Sequence, residues 1–449
     1  MKHLFSRLSP AQKIILSFLL VIFCGSLLLS LPWVQTASSQ ASYLDHLFTA
    51  VSMVCVTGLF TQSVVDTYNV WGQLLCMLLI QIGGLGILTF IGFFTMESRK
   101  KLSLKDRRIL RDSFSYGHNR TLGQFVRSIF ITTFAIEGLG ALLLMIRFIP
   151  KFGMRKGIFN SIFLAVSAFC NAGFDNFGND SLLGFQTDVL VNITLALLII
   201  TGGLGFMVWF DLATKLGGKQ KGLHFHTKVV LLLTAGLLVF GTVTSLWTEY
   251  NNPGTIGNLT FGDKLLVSFF QTVSMRTAGF ASIDYTAARP VTLFIYLLQM
   301  FLGGAPGGTA GGLKITTFLV LLLFARKEIL GLPHTNLGRR TLTPQLVQKA
   351  FGVTVIFQLT FLLGLLALGL VTDSSHRFIY LIFETVSALA TVGVTANITT
   401  SLNTAGMVVI MLLMFIGRVG PLTLMVSLNH YQPKKATTLH YSKADIMIG

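Results

Sequence analysis

The chain has 449 residues, of which 52% are hydrophobic and only 11% charged; soluble domains carry roughly a quarter charged residues, so the composition excludes an ordinary water-soluble fold. A net charge of +17 raises nucleic acid as a partner, but the basic residues lie between apolar runs and not on one amphipathic face, so no nucleic-acid partner is expected. Cys24, Cys55, Cys76 and Cys170 sit in apolar surroundings without CxxC spacing, which reads as small buried hydrophobes and not as a disulfide framework or metal site.

In chain order, Met1 to Lys13 is basic and an apolar run follows from Ile14. Ala37-Ser-Ser-Gln-Ala41 resembles a cleavage site, but the apolar run is long and the repeat described next requires it, so a first transmembrane helix is expected. A short signature then recurs late in successive hydrophobic runs: Gly83-Gly-Leu-Gly86, Gly202-Gly-Leu-Gly205, Gly311-Gly-Leu-Lys314 and Gly417-Arg-Val-Gly420. Upstream of each lies a shorter apolar segment ending in glycine: Leu44 to Gly58, Ile158 to Gly173, Lys264 to Gly279 and Phe378 to Gly393. Their apolar parts hold roughly 10 to 14 residues, too few to span a bilayer and right for a re-entrant helix.

Each unit therefore reads as long helix, re-entrant helix, glycine turn, long helix. The long helices are expected at roughly 12–34 and 70–96, 123–149 and 187–212, 227–248 and 290–325, and 347–371 and 403–428. This predicts an all-α membrane protein of four repeats, with eight transmembrane helices and four re-entrant pore helices around a pseudo-fourfold pore. The units fall at 1–100, 101–215, 216–328 and 329–430, followed by a cytoplasmic tail at 431–449.

Loop charges orient the units. Glu97 to Arg120 is dense in Lys and Arg; Lys215, Lys219, Lys221 and Lys228, then Arg326, Lys327, Arg339 and Arg340, follow in later connectors; Gln35 to Val70 has no Lys or Arg. The bias places both termini and the inter-unit loops in the cytoplasm of a cell membrane, with the re-entrant segments entering from outside. Lys151, Arg155 and Lys156 run against it.

Irregular backbone at membrane depth is tolerated only where it is walled by protein or faces water. Four re-entrant helices ending in Val56-Thr57-Gly58, Asn171-Ala172-Gly173, Thr277-Ala278-Gly279 and Thr391-Val392-Gly393 suggest one axis lined by carbonyls, which replace the hydration shell of potassium. Thr57, Thr277 and Thr391 either add hydroxyl ligands or brace the turns. Most acidic residues are expected on the outer side, and Asp175 and Asp284, just after filter glycines, are candidates for a cation-attracting vestibule.

Two units depart from the pattern. In the third, Gly303-Gly304-Ala305-Pro306-Gly307-Gly308-Thr309-Ala310-Gly311-Gly312 cannot hold a comfortable helix, and this mid-membrane loop reads as a gate or as a kinked structural segment. In the fourth, Arg418 replaces the second glycine of the signature. A charge at that depth either holds the loop by its carbonyls, sets an electrostatic barrier, or snorkels to the cytoplasmic edge. Arg276 precedes the third filter turn and is expected to point away from the axis, with Glu384 as its candidate partner.

These residues resemble the Trk/Ktr/HKT superfamily over nearly the whole chain, and KtrB-type subunits most of all. Ser167-Ala-Phe-Cys-Asn-Ala-Gly-Phe174 and Ser274-Met-Arg-Thr-Ala-Gly-Phe280 are the most specific matches. The resemblance implies four M1–P–M2 units forming a potassium-selective pore, a homodimer, and a cytosolic nucleotide-binding ring of RCK type (KtrA-like) that binds ATP or ADP and docks on the cytoplasmic loops. It implies that Gly303 to Gly312 is the gate with Arg418 beside it, that Gly58 favours potassium where sodium-selective relatives carry serine, and that sodium stimulation is an open possibility. No cofactor is expected in this chain: it has no Walker A motif, and no GxGxxG follows a strand. The alternatives are a sodium-permeable member of the superfamily and a proton- or sodium-coupled secondary transporter. The latter is disfavoured because Glu137, Asp188 and Asp211 lie within or near spans but not, by this reading, near a filter turn. An enzyme is not expected, since His224 and His226 fall in a basic loop.

Overall fold

The computed structural model describes residues 10–86, 122–178, 181–218, 220, 222–372 and 377–420. The basic connector at 97–120, the ends expected at 87–96 and 421–428, the tail at 431–449, and Lys219, Lys221, Asp180 and Asp373 lie outside the described residues.

The described chain is helical but for one small hairpin, Asn336–Leu337 with Arg340–Thr341. Helix α1 (Pro10–Leu29) is followed by α2 (Tyr43–Cys55) and α3 (Val70–Leu85), then α4 (Leu122–Phe152), α5 (Met154–Cys170), α6 (Val189–Gly203) and α7 (Phe206–Leu216). Next come α8 (Phe225–Glu249), α9 (Phe261–Ser274), α10 (Pro290–Phe301) and α11 (Ile315–Ile329), and finally α12 (Pro344–Val371), α13 (Phe378–Leu389) and α14 (Thr404–Val419). Among the described residues four helices are long and apolar enough to cross a membrane: Gln12–Leu29, Val126–Phe152, Phe225–Glu249 and Pro344–Val371.

Local sequence sets the helix starts. Ser42 and Asp45 form a capping box at α2. The side chains of Asn69, Asp188, Thr260 and Asn403 accept backbone N–H bonds at the starts of α3, α6, α9 and α14. Pro290 and Pro344 open α10 and α12, where the missing N–H costs nothing.

The short helices α2, α5, α9 and α13 are the most enclosed. Phe48, Phe163, Phe169, Phe270 and Phe383 on them are fully buried, as are Phe174 and Phe280 just beyond the turns. The long helices turn apolar side chains outward, including Leu139, Val239, Leu363 and Leu370, as suits a lipid solvent with no water to exclude. Core formation thus leaves the short helices and their glycine turns at the centre, with α3 packed on α2, α6 on α5 and α14 on α13.

Three expectations are corrected. The helix expected at 187–212 breaks after Gly203, and α7 leaves α6 at 99°, because Gly205 takes φ 89°. The helix expected at 290–325 is two helices, with 302–314 irregular between them. The third copy of the signature also has a different register. Gly303 follows Gly279 by 24 residues, matching the 25, 29 and 24 between turn glycine and signature in the other units, and α10 ends just before it. Gly311 instead meets Ala390 and Thr391 of the next unit.

Candidate functional site

The four turns share a pair of positive-φ positions. Val56, Asn171, Thr277 and Thr391 are left-handed at φ 57°, 58°, 69° and 51°, and two residues on Gly58, Gly173, Gly279 and Gly393 have φ 102°, 72°, 83° and 97°. Non-glycine residues rarely adopt this region, and such strain concentrates at functional sites. The middle residues of the first, second and fourth turns, Thr57, Ala172 and Val392, each donate an N–H to a carbonyl five residues back, that of Ser52, Ser167 or Ser387, at 2.8 Å. The third turn is one residue tighter: Ala278 N–H reaches Ser274 O, four back, at 2.9 Å.

The turns close on one another in cyclic order. A Cβ added to Gly58 would lie 2.7 Å from Ala172 O, one on Gly173 2.8 Å from Ala278 O, and one on Gly279 2.6 Å from Val392 O. One on Gly393 would overlap Thr57 O and complete the circuit. Only glycine permits that approach, and it brings the four predicted turns together at Thr57, Ala172, Ala278, Val392 and their following glycines.

The sequence reading missed the serine that braces each turn. The Ser52 and Ser387 hydroxyls accept from Gly58 N and Gly393 N at 3.1 and 3.0 Å, and that of Ser167 accepts from Phe174 N at 3.0 Å. Ser274 donates to Phe280 O at 2.6 Å. The signal was present as a serine five or six residues before every filter glycine. The threonines divide. Thr277 Oγ1 accepts from Gly311 N at 3.1 Å and so braces the loop, whereas the buried hydroxyls of Thr57 and Thr391 have no hydrogen-bond partner among the described residues. Buried unpaired oxygens beside a ring of carbonyls suit a cation as substrate.

Directly beneath lies the loop at 303–312. It is fastened to the α6–α7 elbow by Ala305 N to Gly203 O at 2.9 Å, Thr309 N to Gly202 O at 3.1 Å and Phe206 N to Gly307 O at 3.0 Å. The Thr309 hydroxyl donates to Phe169 O at 3.0 Å. Gly202 packs so tightly on Phe169 O and Thr309 Oγ1 that a Cβ would collide with both, which explains the first glycine of that signature. Gly303 N to Leu313 O at 2.9 Å and Ile315 N to Gly304 O at 3.2 Å close the loop's neck.

Arg418 bridges this loop to the first unit. One Nη donates to Thr309 O at 2.6 Å, and the other to Gly83 O and, at 3.4 Å, to Gly84 O. It holds the loop's carbonyls and does not snorkel away. A second cation, Lys314, donates from Nζ to Ala310 O at 2.7 Å; the sequence reading passed over it although it stands where the three other signatures end in glycine.

Arg276 is directed toward α8, with Thr234 Oγ1 3.5 Å from one Nη. It is not paired with Glu384, whose carboxylate accepts instead from the Thr395 hydroxyl at 2.6 Å and from Thr399, bracing the chain after the fourth turn. Of the vestibule candidates, Asp175 is buried and held in its own loop by Phe177 N at 2.9 Å and the Ser181 hydroxyl at 2.7 Å. Asp284 is exposed and accepts from Thr286 N at 2.8 Å. Glu137 is nearer a filter turn than expected: it accepts from Gln81 Nε2 at 3.1 Å, and Cys170 Sγ, next to Asn171, lies 4.0 Å from it. His224 is not merely a loop residue either, since its backbone N–H donates to Asp211 Oδ2 at 2.8 Å and its Nδ1 lies 2.5 Å from Oδ1. Among the described residues no group of His, Cys, Asp and Glu is arranged to hold a metal ion.

The family model described as "TrkH: Cation transport protein" matches residues 7–438. The chain is 38% identical to the Ktr system potassium uptake protein B of Bacillus subtilis, over 99% of this chain and 97% of that one. It is 39% identical to the potassium/sodium uptake protein NtpJ of Enterococcus hirae, over 100% and 99%. The crystal structure of the potassium transporter TrkH from Vibrio parahaemolyticus superposes with a TM-score of 0.72 at 17% identity, covering 93% of this chain and 84% of that one, and so shares the fold. An arrangement of apolar helices around four glycine turns, matched to the family along nearly its whole length, identifies the chain as a member of the TrkH cation transport protein family.

Proposed function

We propose that the chain is the potassium-translocating subunit of a membrane uptake system, and that ions pass along the axis enclosed by its four glycine turns. The observation that carries this reading is the cyclic approach of Gly58, Gly173, Gly279 and Gly393. Four M1–P–M2 units, giving eight spans with both termini cytoplasmic, account for the recurrence of that turn. Carbonyls of the twelve filter residues, with the Thr57 and Thr391 hydroxyls, replace the ion's water. Asp175 and Asp284 contribute to the field at the outer mouth.

Gating falls to the loop at 303–312. Its carbonyls and the two cations on them lie under the turns, and its three backbone bonds to the α6–α7 elbow give a route for motion from the cytoplasmic side. Control by nucleotide requires a separate cytosolic ring of RCK type acting on a homodimer; the relatives' names, which speak of a Ktr system, favour a multi-component assembly. A second reading, a pore that also passes sodium, draws on the relative named potassium/sodium uptake protein.

Rubidium and sodium flux in liposomes separates the two, with Gly58→Ser as contrast. Rubidium flux well above sodium flux in the unmodified protein, narrowed by the substitution, supports potassium selectivity. Equal permeation of both ions by the unmodified protein would end it.

A further inference from the structure

The end of α4 and the loop before α6 enclose an open cavity of about 410 Å³ lined by Arg147, Pro150, Lys151, Phe185, Thr187 and Asp188. By the topology proposed above, which this inference rests on, the cavity lies at the outer membrane face. Cations are unusual near outer loops, and Arg147 and Lys151 are both well exposed.

The two cations are positioned, not free-swinging. Asp188 is fixed as the cap of α6 by Val191 N at 3.2 Å, and its other oxygen takes the Nε–H of Arg147. The Nη groups of Arg147 make no hydrogen bond among those described. Lys151 holds its ammonium 3.7 Å from the centre of the Phe185 ring, a cation–π contact, and Phe185 belongs to a packed group with Phe148, Phe152 and Phe177. The charge arrangement is thus one carboxylate fully engaged beneath two outward-facing cations, with the Thr187 side chain on the same wall.

Below the cavity both helices present apolar side chains to the outside. Helices α4 and α6 pack together. Leu139, Leu142 and Ile146 on α4 are 62%, 61% and 63% exposed, and Val189, Ile193 and Leu197 on α6 are 61%, 38% and 54% exposed. Their spacing puts each set on one helical face. Pro150 of the cavity wall stands one turn beyond Ile146 on the same helical face, and Val189 follows Asp188 at the start of α6, so both stripes lead away from the cavity. A ligand that fits both parts carries a phosphate above and acyl chains below.

We infer that the Arg147–Lys151 cavity and the exposed apolar stripes of α4 and α6 form a binding site for an anionic glycerophospholipid. The phosphate sits between the Arg147 fork and the Lys151 ammonium, and a chain lies along the two stripes. Arginine suits this role by its planar fork and lysine as a point charge.

The test is native mass spectrometry of the purified full chain titrated with phosphatidylglycerol, phosphatidylcholine or sn-glycerol 1-phosphate. It reads lipid and not ion passage, so its failure is separable from failure of the transport reading. Each cation removed near an anionic headgroup costs about fivefold in affinity, so R147Q/K151Q together should weaken phosphatidylglycerol binding roughly 25-fold. The double variant's elution volume and rubidium flux verify that it is folded. Expected are preferential retention of phosphatidylglycerol over phosphatidylcholine, its loss in the double variant, and a weaker loss in R147K, where the fork alone is removed. Equal retention by the unmodified protein and the double variant overturns the site. So does displacement of the lipid by sn-glycerol 1-phosphate at matched concentration, which would mark a soluble-anion site. A shift of the double variant from dimer to monomer with lipid retention unchanged also overturns it, since the face would then be a subunit contact.

Discussion

Replacing Arg418 by methionine removes every donor while keeping an unbranched side chain of similar reach. Two of the bonds lost are close ones, to Thr309 O at 2.6 Å and to Gly83 O. Hydrogen bonds to a charged group contribute about 1.5 kcal/mol or more each, so the bridge is worth about 3 kcal/mol. If it latches the loop shut, its loss shifts the ratio of closed to open by roughly 150-fold, at 1.36 kcal/mol per decade. Rubidium efflux from liposomes holding the chain alone should then rise steeply, toward roughly 150-fold at most (about 3 kcal/mol). Arg418→Lys separates a latch from a barrier. Lysine keeps the charge but cannot span both partners as a fork. A latch therefore puts the lysine variant near the methionine one, and a simple electrostatic barrier leaves it near the unmodified protein. Efflux within about twofold of normal in the methionine variant (under 0.5 kcal/mol) would refute the reasoning.

Other substitutions probe the support around the loop. Gly202→Ala forces a methyl into Phe169 O and Thr309 Oγ1; overpacking of this kind costs about 1–3 kcal/mol, and the melting temperature and flux should both fall, with an unchanged melting temperature counting against close packing at the elbow. Thr309→Val keeps the shape but loses the hydroxyl bond to Phe169 O; about 1 kcal/mol of loop anchoring goes with it, and increased leak in the flux assay is the expected sign. Deleting Ala305 to Ala310 removes most of the elbow contacts, so rubidium flux should become constitutive, and normal, still regulated flux would exclude a gate there. Glu384→Ala leaves the Thr395 and Thr399 hydroxyls without their acceptor. That should cost about 1–3 kcal/mol and broaden ion preference through the fourth turn, to be read as a lower ratio of rubidium to sodium flux.

The turns were legible because each depends on its own neighbours. A short apolar run, a left-handed cap and a glycine form a local pattern, and four copies show it. The break in α6 was not legible, because Gly202-Gly-Leu-Gly205 has the same letters as Gly83-Gly-Leu-Gly86. Gly205 shares its positive φ with Gly86 and Gly420; what is particular to the second copy is the loop from the third unit, which takes the Gly202 and Gly203 carbonyls. The third signature was misread for a related reason. Gly303–Gly304 and Gly311–Gly312 offer equal patterns, and only contacts across units decide which one is in register. Arg418 was found by its cost at membrane depth, and its partners agreed with one of the roles expected. The partner of Arg276 was chosen by sign alone, and the structure puts Glu384 among threonines instead.

The central claim is that one ion path runs between the four turns. Anomalous scattering from crystals grown in rubidium tests it directly. The account predicts density on the axis between Thr57, Ala172, Ala278 and Val392, lost when rubidium is replaced by sodium. Ordered rubidium elsewhere in the membrane region with none on that axis, or equal occupancy in sodium, would contradict it.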